Sequence, residues 1–134
     1  MKVFLDSNIY ISLLNEEEVT HVESLKLLEK LEKQRITIFT SNYVISECLT
    51  VLSQRFTHKV AVNFENDIYS GKTHILITIK EIEVRSREIF KGNINKDISY
   101  VDCTNIAFCE KYKFDKMITF DKSLIKLSDS ILGI

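Results

Sequence analysis

The chain has no proline, and its only glycines are Gly71, Gly92 and Gly133. So few flexible breaks leave no candidate linker, and there is no internal repeat or low-complexity tract. With 134 residues, this predicts a single domain over residues 1–134, long enough to bury a core without staples. No apolar run approaches the roughly 18–20 residues of a membrane span. Asp6 and Asn8 interrupt the apolar start, which argues against a signal peptide. A soluble, cytoplasmic protein with no membrane association is expected. The three cysteines, Cys48, Cys103 and Cys109, lack the Cys-x-x-Cys spacing of a thiolate metal site. Each lies among apolar neighbours, so buried, reduced thiols are predicted. An excess of charge is missing too: 18 Lys and Arg against 19 Asp and Glu give a net charge of −1. That excludes a general electrostatic attraction to nucleic acid and requires any phosphate-binding surface to be local. No Ser–His or Cys–His arrangement is suggested, which argues against acyl-transfer chemistry.

What is present is a regular alternation. Short runs rich in β-branched and aromatic residues at 2–6, 36–40, 74–79 and 116–120 read as strands. Between them run helical patterns. Thr20 with Glu23 forms a capping-box pattern, and Val22, Leu25, Leu27, Leu28 and Leu31 carry a helix to about Gln34, the leucines reading as core. Ser41 or Asn42 can cap a helix reaching about Phe56, and Ser99 a helix from Tyr100 to Lys113. Strand and helix in alternation predict an α/β fold with a central, mainly parallel sheet of four to five strands and right-handed crossovers.

Four acids stand where such a fold builds sites. Val3-Phe4-Leu5 lacks polar alternation, as suits a strand covered on both faces, and Asp6 falls at its carboxyl end. Capping the next helix is the ordinary alternative for Asp6. Asp121 repeats the arrangement after Lys116–Phe120. On the helical wheel Asp102 falls between Ile106 and Cys109, facing inward, so a positive partner is expected to meet it. Glu47 lies at the margin of the apolar stripe Val44, Cys48, Val51 and Leu52, where a surface glutamate leaning over the rim is the competing reading. The topology lets all four acids reach one patch. Hard oxygen donors without His or thiolate partners suit Mg²⁺ or Mn²⁺ far better than Zn²⁺.

Phe4-Leu5-Asp6-Ser7-Asn8, Ser46-Glu47-Cys48, Tyr100-Val101-Asp102 and Ile118-Thr119-Phe120-Asp121 resemble, in order and element type, the four acidic motifs of PIN-domain ribonucleases. Over essentially the whole chain the similarity is greatest to the compact VapC-type toxins of toxin–antitoxin pairs. The resemblance implies a three-layer α/β/α fold and metal-dependent hydrolysis of RNA phosphodiester bonds. It also implies Asp6, Glu47, Asp102 and Asp121 as metal-binding and catalytic acids, with Asn8 and Thr119 as supporting polar residues. A small antitoxin and a homodimeric assembly follow from it as expected partners. Two positions depart from the family pattern: Asn105, where many relatives carry an aliphatic residue, and Cys103, in place of a small alanine. Both bear on packing beneath the site.

Two other readings compete. A non-catalytic interaction module on the same fold would be favoured by loss of one or more acids, and all four are present. A phosphatase or receiver-like domain with a nucleophilic Asp would use Asp6 alone and leave Asp102 and Asp121 without a joint explanation. Because four acids at one edge repel phosphate, RNA must be held by the metal ions and by basic groups around the rim. Arg55 and Lys59, beyond Glu47, and Lys122, directly after Asp121, are the candidates.

Overall fold

The computed structural model describes residues 1–127 and 131–133. Five strands, β1 (Lys2–Leu5), β2 (Thr37–Ser41), β3 (His74–Leu76), β4 (Lys116–Thr119) and β5 (Ile131–Gly133), share one sheet. Between them run α1 (Ser7–Leu14), α2 (His21–Lys33), α3 (Asn42–Arg55), α4 (His58–Ser70), α5 (Lys80–Gly92), α6 (Tyr100–Tyr112) and α7 (Lys122–Leu127). The strand order is β3-β2-β1-β4-β5, and each ladder is parallel. The chain therefore winds outward from β1 in one direction, then crosses back to lay β4 on the other side. The gap between β1 and β4 is the switch point at which such sheets build their sites.

Burial on both faces explains the unalternating sequence of β1, whose Val3, Phe4 and Leu5 are all buried. On one face Phe4 stacks on Phe108 of α6 at 6.0 Å between ring centroids and meets Phe114 at 5.7 Å. On the other, Val3 and Ile118 lie with Leu27 and Leu31 of α2 around a hollow of about 490 Å³. This gives the three α/β/α layers. Each fully buried side chain of this kind contributes about 1.5–3 kcal/mol. Helix α6 is the most enclosed element, with Asp102 through Cys109 all buried. The three cysteines are buried and unpaired, as expected. Among the described residues, no helix is long and apolar enough to cross a membrane.

Three local expectations change. The Thr20–Glu23 capping box does not form, because Thr20 is not in the extended conformation that presents an N-cap side chain (φ −88°, ψ 4°). Its hydroxyl instead bonds that of Ser12 at 2.6 Å. On α2, Val22 and Leu25 face outward and Leu31 is the buried one, so the apolar stripe is narrower than a leucine count suggests. The third strand stops at Leu76 rather than at residue 79. Asn42 Oδ1 accepts from both the amide and the hydroxyl of Thr78, at 2.9 and 2.7 Å, which holds this segment against α3 instead of the sheet.

Candidate active site: four carboxylates at the switch point

Asp6 leaves β1 and caps α1, its Oδ1 accepting from Ser7 N at 2.7 Å. Its own amide donates to Ile118 O at 3.1 Å, which fixes it against β4. Asp102 is the third residue of α6 and completes a capping box with Ser99: Asp102 N donates to Ser99 Oγ at 3.1 Å, and Ser99 N donates to Asp102 Oδ2 at 2.9 Å. Asp121 Oδ1 accepts from Ser123 N and Leu124 N at the start of α7, at 2.9 and 3.3 Å. Three of the four acids thus sit at helix N-termini, where backbone dipoles offset part of the cost of concentrating negative charge. Capping and site membership were rival readings of Asp6. The structure gives it the cap, in a position that the other acids also face.

Thr119 and Asn8 clasp the exits of β1 and β4 together. The Thr119 hydroxyl accepts from Asn8 Nδ2 at 2.9 Å and from Asp121 N at 3.1 Å, so its proton goes to Asp6 Oδ2 at 2.8 Å. Asn8 Oδ1 accepts from Phe120 N at 3.1 Å. A hydroxyl with one donor and two acceptor sites is fully used in this arrangement. Glu47, on α3, is half-buried, and the Ser7 side chain lies between it and Asp6.

The carboxylates feel one another through Asp6. Burial raises the Asp6 pKa; Thr119, Ser7 and Asn105 draw it back down, and the charge of Asp121 adds to the rise. Burial likewise raises Glu47, with the Ser7 hydroxyl opposing and Asp6 reinforcing. Asp102 is pushed up to about 7, first by burial, with the Ser99 amide opposing and the charges of Asp6 and Asp121 adding to it. The positive side chain expected to meet Asp102 is not found among the described residues. Among the described residues, no lysine or arginine pairs with any of the four acids.

This donor set fits a divalent cation. The donors are hard oxygens, their charge is uncompensated, and Asp6 is anchored by neutral donors rather than neutralised. No three Asp, Glu, His or Cys side chains among the described residues form a ready-made ligand cage. Mg²⁺ does not require one, since it keeps several waters and binds through one or two carboxylates.

The candidate basic residues lie further out. Lys122 is exposed and opens α7 next to Asp121. Arg55 ends α3 and pairs with Glu18 at 3.4 Å, and Lys59 is exposed in the first turn of α4. The residue that the sequence reading left outside the site is Asn105. It is fully buried and donates from Nδ2 to Asp6 Oδ1 at 3.0 Å. Its sequence signal is a polar residue one turn after Asp102, on the same inward flank and next to the apolar run Ile106–Cys109.

A parallel sheet in this strand order, with acids gathered at the β1/β4 gap, is the arrangement of a PIN domain. The PIN domain family model matches residues 3–129, and the chain belongs to that family. Its relatives include a VapC ribonuclease of Archaeoglobus fulgidus, 27% identical over 124 residues, covering 90% of this chain and 78% of the relative. Another is the 23S rRNA-specific endonuclease VapC20 of Mycobacterium tuberculosis, 24% identical over 119 residues, covering 89% of this chain and 88% of the relative. The crystal structure of that Mycobacterium tuberculosis VapC20, described as a sarcin–ricin loop cleaving toxin, superposes with a TM-score of 0.82 at 21% identity, over 94% of this chain and 95% of the other. A toxin–antitoxin complex from Klebsiella pneumoniae superposes with a TM-score of 0.71 at 14% identity, over 97% and 95% of the two chains. VapBC2 of Rickettsia felis, bound to a DNA fragment from its promoter, gives 0.68 at 19% identity, over 100% and 98%.

The Asp102 environment predicts an unusual pH dependence for the ion-free fold. In the unfolded chain this carboxyl loses its proton near 3.8, and in the folded chain only near 7. The folded state therefore binds more protons in between. Its contribution to stability is fully present below the lower value and is lost as pH rises through the upper one. Discounted for partial solvation, the loss is on the order of 1–2 kcal/mol. Thermal unfolding in chelator should give a midpoint that falls from pH 5 to pH 8, with a shallower fall in Asp102→Asn. A midpoint that rises over this interval would show that Asp102 is not held protonated.

Proposed function

We propose that this chain is a metal-dependent endoribonuclease, the toxin of a toxin–antitoxin pair, with Mg²⁺ or Mn²⁺ as its ion. The observation that carries this reading is the gathering of Asp6, Glu47, Asp102 and Asp121 at the switch point with no basic side chain, among the described residues, to neutralise them. The VapC relatives support the RNA substrate, and the toxin–antitoxin complexes among the similar structures support an antitoxin partner. A cytoplasmic location, action of residues 1–134 as one domain, and a homodimer resolvable by sedimentation against concentration belong to the same reading.

A divalent cation bound there would lower the pKa of the attacking water and neutralise charge developing on the phosphate and the leaving oxygen. The chain's own residues bind and orient. Asp6, Asp102 and Asp121 supply oxygen donors from three separate elements, with Glu47 at the margin. Thr119 and Asn8 hold Asp6 in one rotamer through the 2.8 and 2.9 Å bonds. No side chain serves as nucleophile: water's oxygen joins phosphorus as the P–O bond to the leaving nucleoside breaks, and the leaving oxygen takes up a proton. The test is cleavage of a pool of cellular RNAs by purified protein. Cleavage with Mg²⁺ or Mn²⁺ and none with chelator is the expected result, and cleavage that persists in chelator would refute the proposal.

Arg55, Lys59 and Lys122 are the proposed RNA-holding cations. Arg55 is free to serve despite Glu18, because an exposed pair of this kind is worth only about 0–1 kcal/mol. Removing each charge should flatten the salt dependence of affinity for single-stranded RNA by roughly 0.7 in the log–log slope. The measurement is RNA binding across a salt series in an Asp121→Asn background. An unchanged slope in all three alanine variants would place the RNA path elsewhere.

A further inference from the structure

We infer that Asn105 is a positioning residue that makes Asp6 a single-oxygen ligand, leaving Oδ2 to bind the cation and withholding Oδ1. This rests on the metal-nuclease reading and adds to it which atom binds and what selects that atom. A carboxylate has about two acceptor sites on each oxygen. Those of Asp6 Oδ1 are filled by two close donors, Ser7 N at 2.7 Å and Asn105 Nδ2 at 3.0 Å, with the Ser7 hydroxyl more distant at 3.5 Å. Oδ2 has one strong donor, the Thr119 hydroxyl at 2.8 Å. Asn8 Nδ2, which gives one hydrogen to Thr119 Oγ1 at 2.9 Å, turns its other toward Oδ2 only at 3.5 Å, a long and weak bond. The second site on Oδ2 is thus held only by that long bond, which is the easiest on this carboxylate for a cation to displace.

The orientation of the Asn105 amide is fixed by the same contact. Turning it over would place its oxygen against the carboxylate. In the orientation found, Asn105 Oδ1 is buried without a partner, which is unfavourable; the bond to Asp6 is the interaction this side chain makes in return. That bond also ties α6, which carries Asp102, to the end of β1, across 99 positions of sequence.

Single-oxygen coordination suits Mg²⁺, which demands near-octahedral geometry, whereas Ca²⁺ readily takes both oxygens of one carboxylate. Asn105 should therefore set ion preference. The test is calorimetric titration of the protein with Mg²⁺ and with Ca²⁺, without RNA, in the unaltered chain and in Asn105→Leu. Asn105→Ser, which removes the amide without adding bulk, carries the same test should the leucine variant not fold. The expected result is a loss of Mg²⁺ affinity of about 10–100-fold, typical of supporting hydrogen bonds around metal ligands, with a much smaller loss for Ca²⁺. Unchanged affinities, or equal loss for both ions as a general packing defect would give, would overturn the inference alone. Failure of the unaltered protein to bind either ion would overturn the metal reading with it.

Discussion

Asp121→Asn is expected to slow RNA cleavage by at least about 1,000-fold, a rise of about 4 kcal/mol in the barrier, while leaving the fold intact. The two effects separate because Asp121 does two jobs with different chemical demands. As the cap of α7 it accepts from Ser123 N and Leu124 N, and asparagine caps a helix about as well as aspartate does. As a site acid it supplies negative charge beside Asp6 and Asp102, which an amide cannot. The unfolding midpoint of the variant in chelator should therefore equal or slightly exceed that of the unaltered protein, since the cap is kept and one repelling charge is lost, while single-turnover cleavage rates differ by three orders of magnitude or more. A variant that is folded and nearly as active would remove Asp121 from the chemistry.

The second large effect is on stability. Four uncompensated carboxylates make the ion-free fold weaker than its core would allow, and an ion bound only by the native state should restore the difference. Mg²⁺ at about a hundred times its Kd should stabilise the protein by about 2.7 kcal/mol, roughly 8–10 °C in melting temperature for a domain of this size. The gain should be largest above pH 7, where Asp102 is ionised without help, and should shrink in Asp6→Asn and Asp121→Asn. Differential scanning with Mg²⁺, with chelator and with added monovalent salt separates site binding from screening. A shift of the same size in the variants would mean that Mg²⁺ binds somewhere else.

Much of this was legible in the residues. The β1 pattern, the order of acids and the inward face of Asp102 each follow from local rules of periodicity and capping, and the Ser41 and Ser99 caps form as their sequence positions suggest. The Thr20–Glu23 pattern met the same rule and failed, because nearby Ser12 offered the hydroxyl another partner. The strand written as 74–79 is half as long, since Asn42, 36 positions earlier, takes the Thr78 amide. Asn105 shows the limit most clearly. A polar residue in a buried helix announces that it has a partner, but which partner depends on packing α6 against the end of β1. Local sequence holds no record of a contact made over that distance. Glu47 stayed ambiguous for a related reason, since its half-buried place beside Ser7 and Asp6 is set by how α3 leans on α1.

The most direct measurement is anomalous scattering from a crystal of the unaltered protein grown or soaked with Mn²⁺. The prediction is a peak at the β1/β4 gap, at roughly 2.0–2.2 Å from Asp6 Oδ2, with Asp102, Asp121 and Glu47 around it directly or through water. A well-occupied peak elsewhere, with the four carboxylates bare at saturating Mn²⁺, would contradict the assignment of these acids as one metal site.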